Sequence, residues 1–346
     1  MPVSLITTPQ HAQHTHPQHP EHAGRIDAVM RLLAQHPIAG VTMHSVHPMD
    51  TTIIHAGHSQ SYVESFKQLS LQRATHAHLY ADTYVTGGSY AAACDAAFAA
   101  CQAIDAMMTG TPAMSLGRPP GHHAVHDQYM GFCFFNNVAI ATRYLQRQYG
   151  IKRVAVVDID VHHGNGTNDC FYADADVLFV SSHASPLYPF SGARDAMGRD
   201  AGHGSTLNIP LPHGSGDGVY DRVYSELVVP ALQRFAPECM LVSAGYDAHW
   251  DDPIGSCALS VTGYTTIMQA LWRTAQHLCA GRMAVVLEGG YNLEALAAGV
   301  HATVSLLAGQ TPQPDRIGAV ASDAHLADDT IHWLQRHHPL CMAQKE

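Results

Sequence analysis

Charged side chains are scarce in this chain of 346 residues. Asp, Glu, Lys and Arg together make up 14% of the sequence, whereas soluble proteins usually carry about 25%. The 18 basic residues are outnumbered by 29 acidic ones, so the formal net charge is −11. A negative protein is poorly suited to hold the phosphates of a nucleic acid, and we expect no such partner. The same charge is compatible with attraction of a cationic substrate.

Two further absences narrow the class of protein. The sequence has no run of about 18 uncharged apolar residues, and its first residues lack a basic region followed by an apolar core. We therefore expect neither a membrane partner nor a signal peptide. The eight cysteines are scattered without a C-x-x-C pair, which favours free core thiols over a disulfide framework. These features predict a cytoplasmic protein, and 46% hydrophobic residues allow a large core.

The most informative stretch is V-A-V-V-D-I-D-V-H-H-G-N-G, residues 154–166. Its apolar run predicts a strand buried on both faces, and the polar residues at its end cannot stay buried without partners. Residues two apart in a strand share a face, so Asp158, Asp160 and His162 are expected to begin on one side. A carboxylate and an imidazole at this spacing form half of a zinc site. The alternative is a solvated turn after a strand.

Apolar strands and helices alternate along most of the chain, which predicts an α/β protein with a parallel sheet flanked by helices on both faces. Strands are predicted at residues 113–116, 154–157, 177–181, 240–243 and 283–287. Helices are predicted at residues 90–108, 136–149, 220–235, 261–280 and 293–307, with another opening near Arg25. Residues 51–66 are predicted to form a short strand and then a helix. We expect a single domain over 1–346, with its motifs in 10–310 and a Pro-rich tail, 311–346, helical near 330–336.

Polar residues follow four of these predicted strands. In open α/β sheets, ligands bind outside the carboxyl ends of the strands. One crevice is therefore expected to collect the following side chains: His122, His123, Asp158, Asp160, His162, Asp247 and Tyr291.

This collection predicts a particular chemistry. Asp160, His162 and Asp247 supply three metal ligands, and a catalytic zinc keeps its fourth position for water. The tandem histidines offer a general base and acid, and Tyr291 offers a hydrogen bond to a developing oxyanion. The sum is metal-assisted hydrolysis of an amide. A serine nucleophile is not required, and no G-x-S-x-G motif is present.

Five motifs occur in a fixed order along the chain. They are R-P-P-G-H-H-A (118–124), G-F-C-F-F-N-N (131–137), D-I-D-V-H-H-G-N-G-T (158–167), S-A-G-Y-D-A-H (243–249) and E-G-G-Y (288–291). Together they resemble the zinc-dependent histone deacetylase family, which includes bacterial histone deacetylase-like amidohydrolases and acetylpolyamine amidohydrolases. The resemblance implies the arginase–deacetylase fold, a single domain with a central parallel sheet of about eight strands.

The resemblance also implies roles for individual residues. Asp160, His162 and Asp247 correspond to the zinc ligands, although iron(II) in place of zinc is left open. Tyr291 corresponds to the tyrosine that polarises the substrate carbonyl.

The tandem histidines correspond to His122 and His123, with His123 the general base and acid. Asp158 corresponds to the carboxylate behind His122. The second carboxylate of class I members is replaced here by Asn165, as in class II members. His123 is therefore expected to lack a full negative partner.

Further residues correspond to substrate and ion sites of the family. Phe132 and Tyr188 correspond to the aromatic walls of the acyl-lysine tunnel, where the second wall is usually Phe, and Gly131 is assigned to the same substrate-binding group. Asp82 corresponds to the rim aspartate that holds the substrate backbone, and Arg25 to an arginine near the acetate-release channel. Structural potassium is implied at two sites, the first using Asp158 and Ser181 with main-chain oxygens of Asp160 and His162, the second using Phe171 and Val177.

Three alternatives stay open. The first is an acetylpolyamine or other small-molecule amidohydrolase. Polyamine-selective class II relatives have a glutamate at the position of Ile254, so Ile254 disfavours this alternative. The bacterial acetylpolyamine enzymes have a long insertion at the entrance, and the segment between His58 and Tyr90 is too short to hold it. An arginase-like dinuclear hydrolase would need more carboxylates. A metal-binding protein without activity would use the five histidines of residues 11–22, although a His-rich loop is the simpler interpretation. We therefore expect an acylated lysine or small acylated amine as substrate, and oligomeric state is open.

Overall fold

The computed structural model describes residues 1–73, 78–80 and 82–342. Residues 74–77 and 81, which belong to the short segment between His58 and Tyr90, lie outside the described residues, as do residues 343–346 of the tail.

A parallel sheet forms the centre of the molecule. Within the described residues it has eight strands in the order β2-β1-β5-β10-β9-β6-β7-β8, and β3 and β4 form a separate antiparallel hairpin. In chain order, the strands are Val3–Thr7 (β1), Val41–Ser45 (β2), His78–Tyr80 (β3), Thr83–Val85 (β4), Ala113–Leu116 (β5), Val154–Asp158 (β6), Val177–Ala184 (β7), Thr206–Leu211 (β8), Cys239–Ala244 (β9) and Met283–Leu287 (β10). The predicted fold class, a parallel sheet of about eight strands, is confirmed.

Helices cover both faces of this sheet. In the described chain they are Gly24–Gln35 (α1), Gln60–Leu71 (α2), Ser89–Met108 (α3), Asn137–Tyr149 (α4), Asn165–Phe171 (α5), Asp217–Val223 (α6), Val229–Phe235 (α7), Val261–Leu278 (α8), Leu293–Leu307 (α9) and Asp328–His337 (α10). A π-helical turn, Tyr224–Val228, joins α6 to α7, and 3-10 helices span Pro9–Gln13, Thr51–Ala56 and Asp200–Gly202.

The unbroken apolar runs of the central strands follow from burial on both faces. In β6, Ala155 and Val157 belong to one buried cluster, with residues of α1, α8 and α9. Val154 and Val156 belong to the cluster on the opposite face, with residues of α2, α3 and α4. Because side chains alternate along a strand, a strand covered on both sides needs apolar residues at every position.

The prediction of a strand at the start of residues 51–66 is wrong. This segment forms the 3-10 helix Thr51–Ala56, and α2 follows. The Asp50 side chain caps the turn by accepting a hydrogen bond from the Thr52 N–H at 2.9 Å. Ile53 and Ile54 gave the segment its strand-like pattern, but Ile54 is fully buried in the cluster that contains α3 and α4.

One helix of the described chain, α3, is long and apolar enough by length and composition to cross a membrane. Its apolar window is 72% buried inside the protein. Ala-rich α3 packs against β5 and α4, which is the position of a core helix.

The C-terminal tail returns to the sheet. The Pro-rich segment after α9 leads to α10, whose Ile331 and Leu334 are fully buried. Next to it, the Thr330 hydroxyl donates a hydrogen bond to the Pro210 carbonyl of β8 at 3.0 Å.

Candidate metal and catalytic site

The four strands that carry the predicted site residues are neighbours in the sheet, in the order β5-β10-β9-β6. Since all four are parallel, their carboxyl ends meet at one edge. The structure brings together there a set of buried polar residues that we call the inner group: His122, His123, Asp158, Asp160, His162, Asn165, Asp247 and Glu288.

Three members of the inner group form a potential metal site. Ligand atoms of Asp160, His162 and Asp247 all lie within 4.8 Å of one another, and all three residues are buried. The His162 Nδ1 atom is 3.1 Å from Asp160 Oδ1 and 3.3 Å from Asp247 Oδ2. The Asp247 Oδ2 atom is buried without a hydrogen-bond partner. Two adjacent buried carboxylates with an unpartnered oxygen fit a cation, because buried charge must be compensated.

Backbone donors fix these carboxylates. Asp160 Oδ2 accepts a hydrogen bond from the Gly289 N–H at 2.9 Å, and Asp247 Oδ1 accepts one from the Val161 N–H at 3.0 Å. A Cβ atom on Gly289 would lie 2.1 Å from Asp247 Oδ2, and one on Gly245 would lie 2.0 Å from Asp160 Oδ2. Glycine is therefore needed at both positions for the backbone to approach the ligands.

The electrostatics of the ligand group also favour a cation. Burial alone lowers the pKa of His162, but the hydrogen bond to Asp160 and the close Asp160 and Asp247 carboxylates raise it to about 10. Without a metal ion, the two carboxylates therefore draw a proton onto the imidazole. Oxygen and nitrogen ligands of this kind suit a divalent ion such as zinc.

The tandem histidines differ in their partners. His122 Nδ1 is 3.0 Å from Asp158 Oδ2, whereas His123 Nδ1 is 2.8 Å from the amide Oδ1 of Asn165. Burial lowers the pKa of His122, but the charges of Asp160 and Asp158 outweigh it and raise that pKa well above the usual imidazole value.

The pKa of His123 moves in the opposite direction. Burial is the largest cause, and the neighbouring His122 and His162 lower it further. With Asn165 Oδ1 as acceptor, Nδ1 of His123 carries the proton and Nε2 is left as the acceptor. The pair is therefore one cationic imidazole beside one neutral imidazole that can take up a proton.

Glu288 supports the tandem histidines by accepting hydrogen bonds from their backbone segment. This role was not predicted from the sequence. Its Oε2 accepts hydrogen bonds from the N–H groups of Gly121 at 2.7 Å and His122 at 3.1 Å. Its Oε1 accepts one from the Ser243 hydroxyl at 3.0 Å. Burial raises the pKa of Glu288 to about 7. The sequence does contain a signal for Glu288, because it is the first residue of the E-G-G-Y motif and directly follows an apolar strand.

Tyr291 lies beside this group, with its ring half-buried. The Arg25 guanidinium lies over the ring, 4.9 Å from its centroid. The same guanidinium donates hydrogen bonds to the carbonyls of Gly290 at 2.7 Å and Glu288 at 2.5 Å. Burial raises the pKa of Tyr291 well above 10, against the opposing charge of Arg25. The phenol therefore keeps its proton and can donate a hydrogen bond.

A buried ion network lies behind Arg25, and the sequence reasoning did not find it. Glu21 accepts hydrogen bonds from Arg25 Nη1 at 3.2 Å and from Arg118 Nη2 at 2.6 Å. All three side chains are fully buried. Arg118 opens the R-P-P-G-H-H-A motif, so this network joins the N-terminal segment to the strand end that carries the tandem histidines.

Four half-buried residues lie farther out, and we call them the outer group: Asp82, Phe132, Tyr188 and Ile254. The Phe132 ring contacts the ring of Tyr291 at 5.8 Å, and the Tyr188 ring contacts that of His123 at 5.2 Å.

Asp82 ties parts of the outer group together. Its Oδ2 accepts a hydrogen bond from the Gly131 N–H at 3.2 Å. Burial, the charge of Asp82 and a hydrogen bond to it raise the pKa of Tyr188. Phe132 has a positive φ of 68°, and its N–H donates to the Thr83 hydroxyl at 3.1 Å. The loop that carries Gly131 and Phe132 is thus held by the segment that begins at Asp82.

Of the residues assigned to potassium, Asp158 belongs to the inner group and Ser181 lies beside it on β7. Ser181 pairs with Asp158 in the register of β7 and β6, and its hydroxyl bonds to His183 Nδ1 at 3.0 Å. Phe171 ends α5, and Val177 begins β7. The assignment of potassium to these residues stays a prediction.

The N-terminal histidines are spread over separate contacts. His14 Nδ1 bonds to the Ser89 hydroxyl at 2.7 Å, and the His19 ring packs on Phe132 at 4.6 Å. The two groups of potential metal ligands found in the described residues are Asp160, His162 and Asp247, and His122, Cys133 and Glu288. The tract 11–22 contributes to neither, which favours the interpretation as a His-rich loop.

Known proteins share this architecture. A family model described as histone deacetylase domain matches residues 19–307. Histone deacetylase 14, chloroplastic, of Arabidopsis thaliana is 43% identical over 235 residues, which cover 66% of this chain and 56% of that relative. The chain thus spans little more than half the length of this relative. A histone deacetylase-like amidohydrolase of Pseudomonas aeruginosa is 39% identical over 270 residues, 76% of this chain and 70% of that relative.

A solved structure agrees with these sequence matches. The crystal structure of the HDA15 HD domain superposes with a TM-score of 0.86 at 31% identity, covering 98% of this chain and 95% of that one. The match confirms the predicted α/β fold. From the family model, the relatives and the shared fold, we conclude that this chain belongs to the histone deacetylase family of hydrolases.

Proposed function

We propose that the protein is a zinc-dependent deacetylase that hydrolyses the acyl amide of acetyl-lysine-type substrates. The observation that carries this proposal is the buried ligand group of Asp160, His162 and Asp247, with its unpartnered Asp247 oxygen, beside an imidazole that is neutral. When bound there, zinc would lower the pKa of water and polarise the acyl carbonyl as a Lewis acid. Family membership supports zinc, and iron(II) is the alternative ion for the same ligands.

His123 is the general base in this proposal. Its Nε2 takes a proton from the attacking water, because its Nδ1–H is occupied by Asn165. The water oxygen then bonds to the acyl carbon. His123 returns the proton to the amine nitrogen as the C–N bond breaks. The acid and the amine that form exchange the remaining water proton, so a carboxylate and an ammonium ion leave. The neighbouring His122, charged through Asp158, supplies fixed positive charge to the developing oxyanion.

Tyr291 donates the other hydrogen bond to that oxyanion. Burial raises the pKa of the Tyr291 phenol well above 10 and lowers that of His123, so at neutral pH the donor and the base are available together. Its exposure is intermediate, consistent with access to a bound acyl group. Arg25 holds the backbone that leads into Tyr291, through the carbonyls of Glu288 and Gly290, and borders the route that we assign to acetate release.

We assign the outer group to substrate binding. Phe132 and Tyr188 flank the acyl-lysine stem, with Gly131 between Phe132 and the tandem histidines. Asp82 and Ile254 lie at the rim. The apolar Ile254 favours a neutral-flanked amide over a polyamine, whose extra cationic nitrogens call for an acidic neighbour.

Two assignments complete the proposal. Structural potassium is assigned to Asp158 and Ser181 at one site and to Phe171 and Val177 at another. A cytoplasmic location is proposed because all eight cysteines are free and seven are buried, as in a reducing compartment.

The experiment measures acetate release from an acetyl-lysine peptide and from acetylspermidine, together with zinc content per chain. We expect peptide hydrolysis by the wild type. Asp160→Ala and His162→Ala should lose activity and zinc together, because each removes a ligand. His163→Asn is the matched control, because His163 is an adjacent buried histidine that bonds to Ser191 and lies outside the ligand group. Full activity with normal zinc in Asp160→Ala or His162→Ala would contradict the site.

A further inference from the structure

Asp252 lies in the loop between β9 and α8, and only 8% of it is exposed. Its two carboxylate oxygens make different connections. Oδ1 accepts hydrogen bonds from the N–H groups of Ile254 at 3.1 Å and Gly255 at 3.2 Å, which closes the turn of its own loop. Oδ2 accepts hydrogen bonds from the N–H groups of Tyr291 at 2.7 Å and Asn292 at 3.0 Å. One buried carboxylate therefore joins this loop to the turn that carries Tyr291.

The turn that carries Tyr291 needs such external support. β10 ends at Leu287 and α9 begins at Leu293, so Tyr291 lies between regular elements. Gly290 adopts a φ of +117°. Glycine reaches this conformation without strain, but because it is flexible it needs contacts with other residues to stay there. The Gly289 N–H is bonded to Asp160, which anchors the start of the turn. The direct hold on the tyrosine's own N–H comes from Asp252.

We propose that Asp252 is a positioning residue that fixes the Tyr291 hydroxyl relative to the metal ligands. The inference rests on the proposed function, because the placement of this hydroxyl matters only if it acts on the acyl carbonyl. A hydrogen bond to a developing oxyanion depends on donor position, and a small displacement costs much of its effect. Burial and four backbone donors make the Asp252 carboxylate a rigid support.

The same carboxylate connects the loop at the rim to the turn that carries Tyr291. Ile254 belongs to the outer group, and its N–H shares Asp252 with the N–H of Tyr291. A substrate that displaces the rim loop would therefore also displace the tyrosine. This connection makes Asp252 and the turn that it closes, residues 252–255, part of the support for Tyr291 as well as part of the entrance.

The first test compares Asp252→Asn with Asp251→Asn. Asn at 252 keeps the shape, but one side of its amide carries N–H groups, so one pair of backbone donors loses its acceptor. Asp251 is the matched control, because it is the exposed neighbour whose carboxylate bonds only to the Asn292 side chain, at 2.9 Å, among the described contacts. On the acetyl-lysine peptide, Asp252→Asn should lower kcat by on the order of 10 to 10², with KM and zinc content kept. Asp251→Asn should stay near wild type.

The second test asks whether the loss passes through Tyr291. Asp252→Asn is combined with Tyr291→Phe, which has no hydroxyl left to position. We expect the Asp252 substitution to lower kcat by less than about two-fold in that background, as in a coupled double-mutant cycle. A residue that only stabilised the fold would cost the same factor in both backgrounds, and that result would overturn the inference. An unchanged kcat in the single variant would overturn it as well.

Two further outcomes keep the test decisive. If Asp252→Asn does not fold, Asp252→Glu retains the charge, displaces the oxygens by one methylene and enters the same cycle with the same expectation. An inactive, zinc-loaded wild type would overturn both the proposed function and this inference. An active wild type with uncoupled Asp252 and Tyr291 would overturn only the inference.

Discussion

The inner and outer groups are built differently. The inner group is buried, sits at adjacent strand ends, and has its carboxylates fixed by backbone N–H groups such as those of Gly289 and Val161. The outer group is half-buried and comes from loops and from the segment beside β4. Titratable side chains make up most of the inner group, whereas aromatic and apolar side chains make up most of the outer group. In the function that we propose, the inner group performs the reaction and the outer group selects the substrates that reach it.

Because of this contrast, we expect substitutions in the two groups to have different effects on activity. A change in the inner group should lower the rate for every substrate, because the buried partner of the lost side chain is left without compensation. A change of charge in the outer group should alter the ratio between substrates and leave the chemistry intact. Tyr291 belongs to neither group, and its ring contacts Phe132 of the outer group and the Arg25 guanidinium.

The largest effect is expected for His123→Gln. Glutamine is uncharged and can keep a bond to Asn165, but it cannot act as a base. We expect kcat/KM to fall by about 10² to 10⁴ on all acylated substrates, with zinc content unchanged. His122→Gln, which removes a charged but non-basic neighbour, should cost less. Equal losses in the two variants, measured under one set of conditions, would contradict the division of roles.

A smaller loss is expected for Tyr291→Phe. The variant removes one donor to the oxyanion, which is worth on the order of 10² to 10³ in rate. Zinc should bind normally, because Tyr291 is not in the ligand group. Turnover near the wild-type value would show that the carbonyl is polarised by another residue.

Asn165→Asp should change the pH dependence. A carboxylate at His123 Nδ1 stabilises the imidazolium and raises its pKa, so the neutral base is lost at a higher pH as the solution is acidified. We expect the acid limb of the kcat/KM profile to move up by about one pH unit or more. In the wild type, that limb should lie below pH 6.5, since the pKa of His123 is lowered by burial. Asn165→Ser, which adds no charge, is the control and should not move the limb upward.

The smallest effect is expected in the outer group. Wild type should prefer an acetyl-lysine substrate to acetylspermidine in kcat/KM, and Ile254→Glu should narrow or reverse that preference by attracting the polyamine's cationic nitrogens. Tyr188→Phe, another outer-group change without added charge, should leave the preference in place. A wild type that clearly favours the acetylated polyamine would show that Ile254 does not act as the gate.

Local pattern is sufficient to predict the metal ligands and the tandem histidines but not the residues that support them. Asp158, Asp160 and His162 follow an apolar run, so strand geometry and the position of strand ends predict that they meet Asp247 and His122. The bond between Glu21 and Arg118 joins residues 97 positions apart, and no local periodicity points to such a contact.

The strands at the edge show the same limit. The strand β2 was not predicted from the sequence, because it is short and mostly exposed and has only two apolar residues, Val41 and Met43. The Asp252 contacts escape prediction because they join two loops, which depends on how α8 and α9 set those loops side by side. Fold class and ligand set thus follow from local rules, whereas positioning residues follow from tertiary packing.

The most direct test of the account is a zinc titration of the metal-free protein with hydrolysis of an acetyl-lysine peptide as the readout. The account predicts no hydrolysis after chelation, a rise in activity with added zinc, and a plateau at one ion per chain, since Asp160, His162 and Asp247 form one ligand group. Activity that survives complete removal of metal, or a plateau at two ions per chain as in a dinuclear hydrolase, would contradict it.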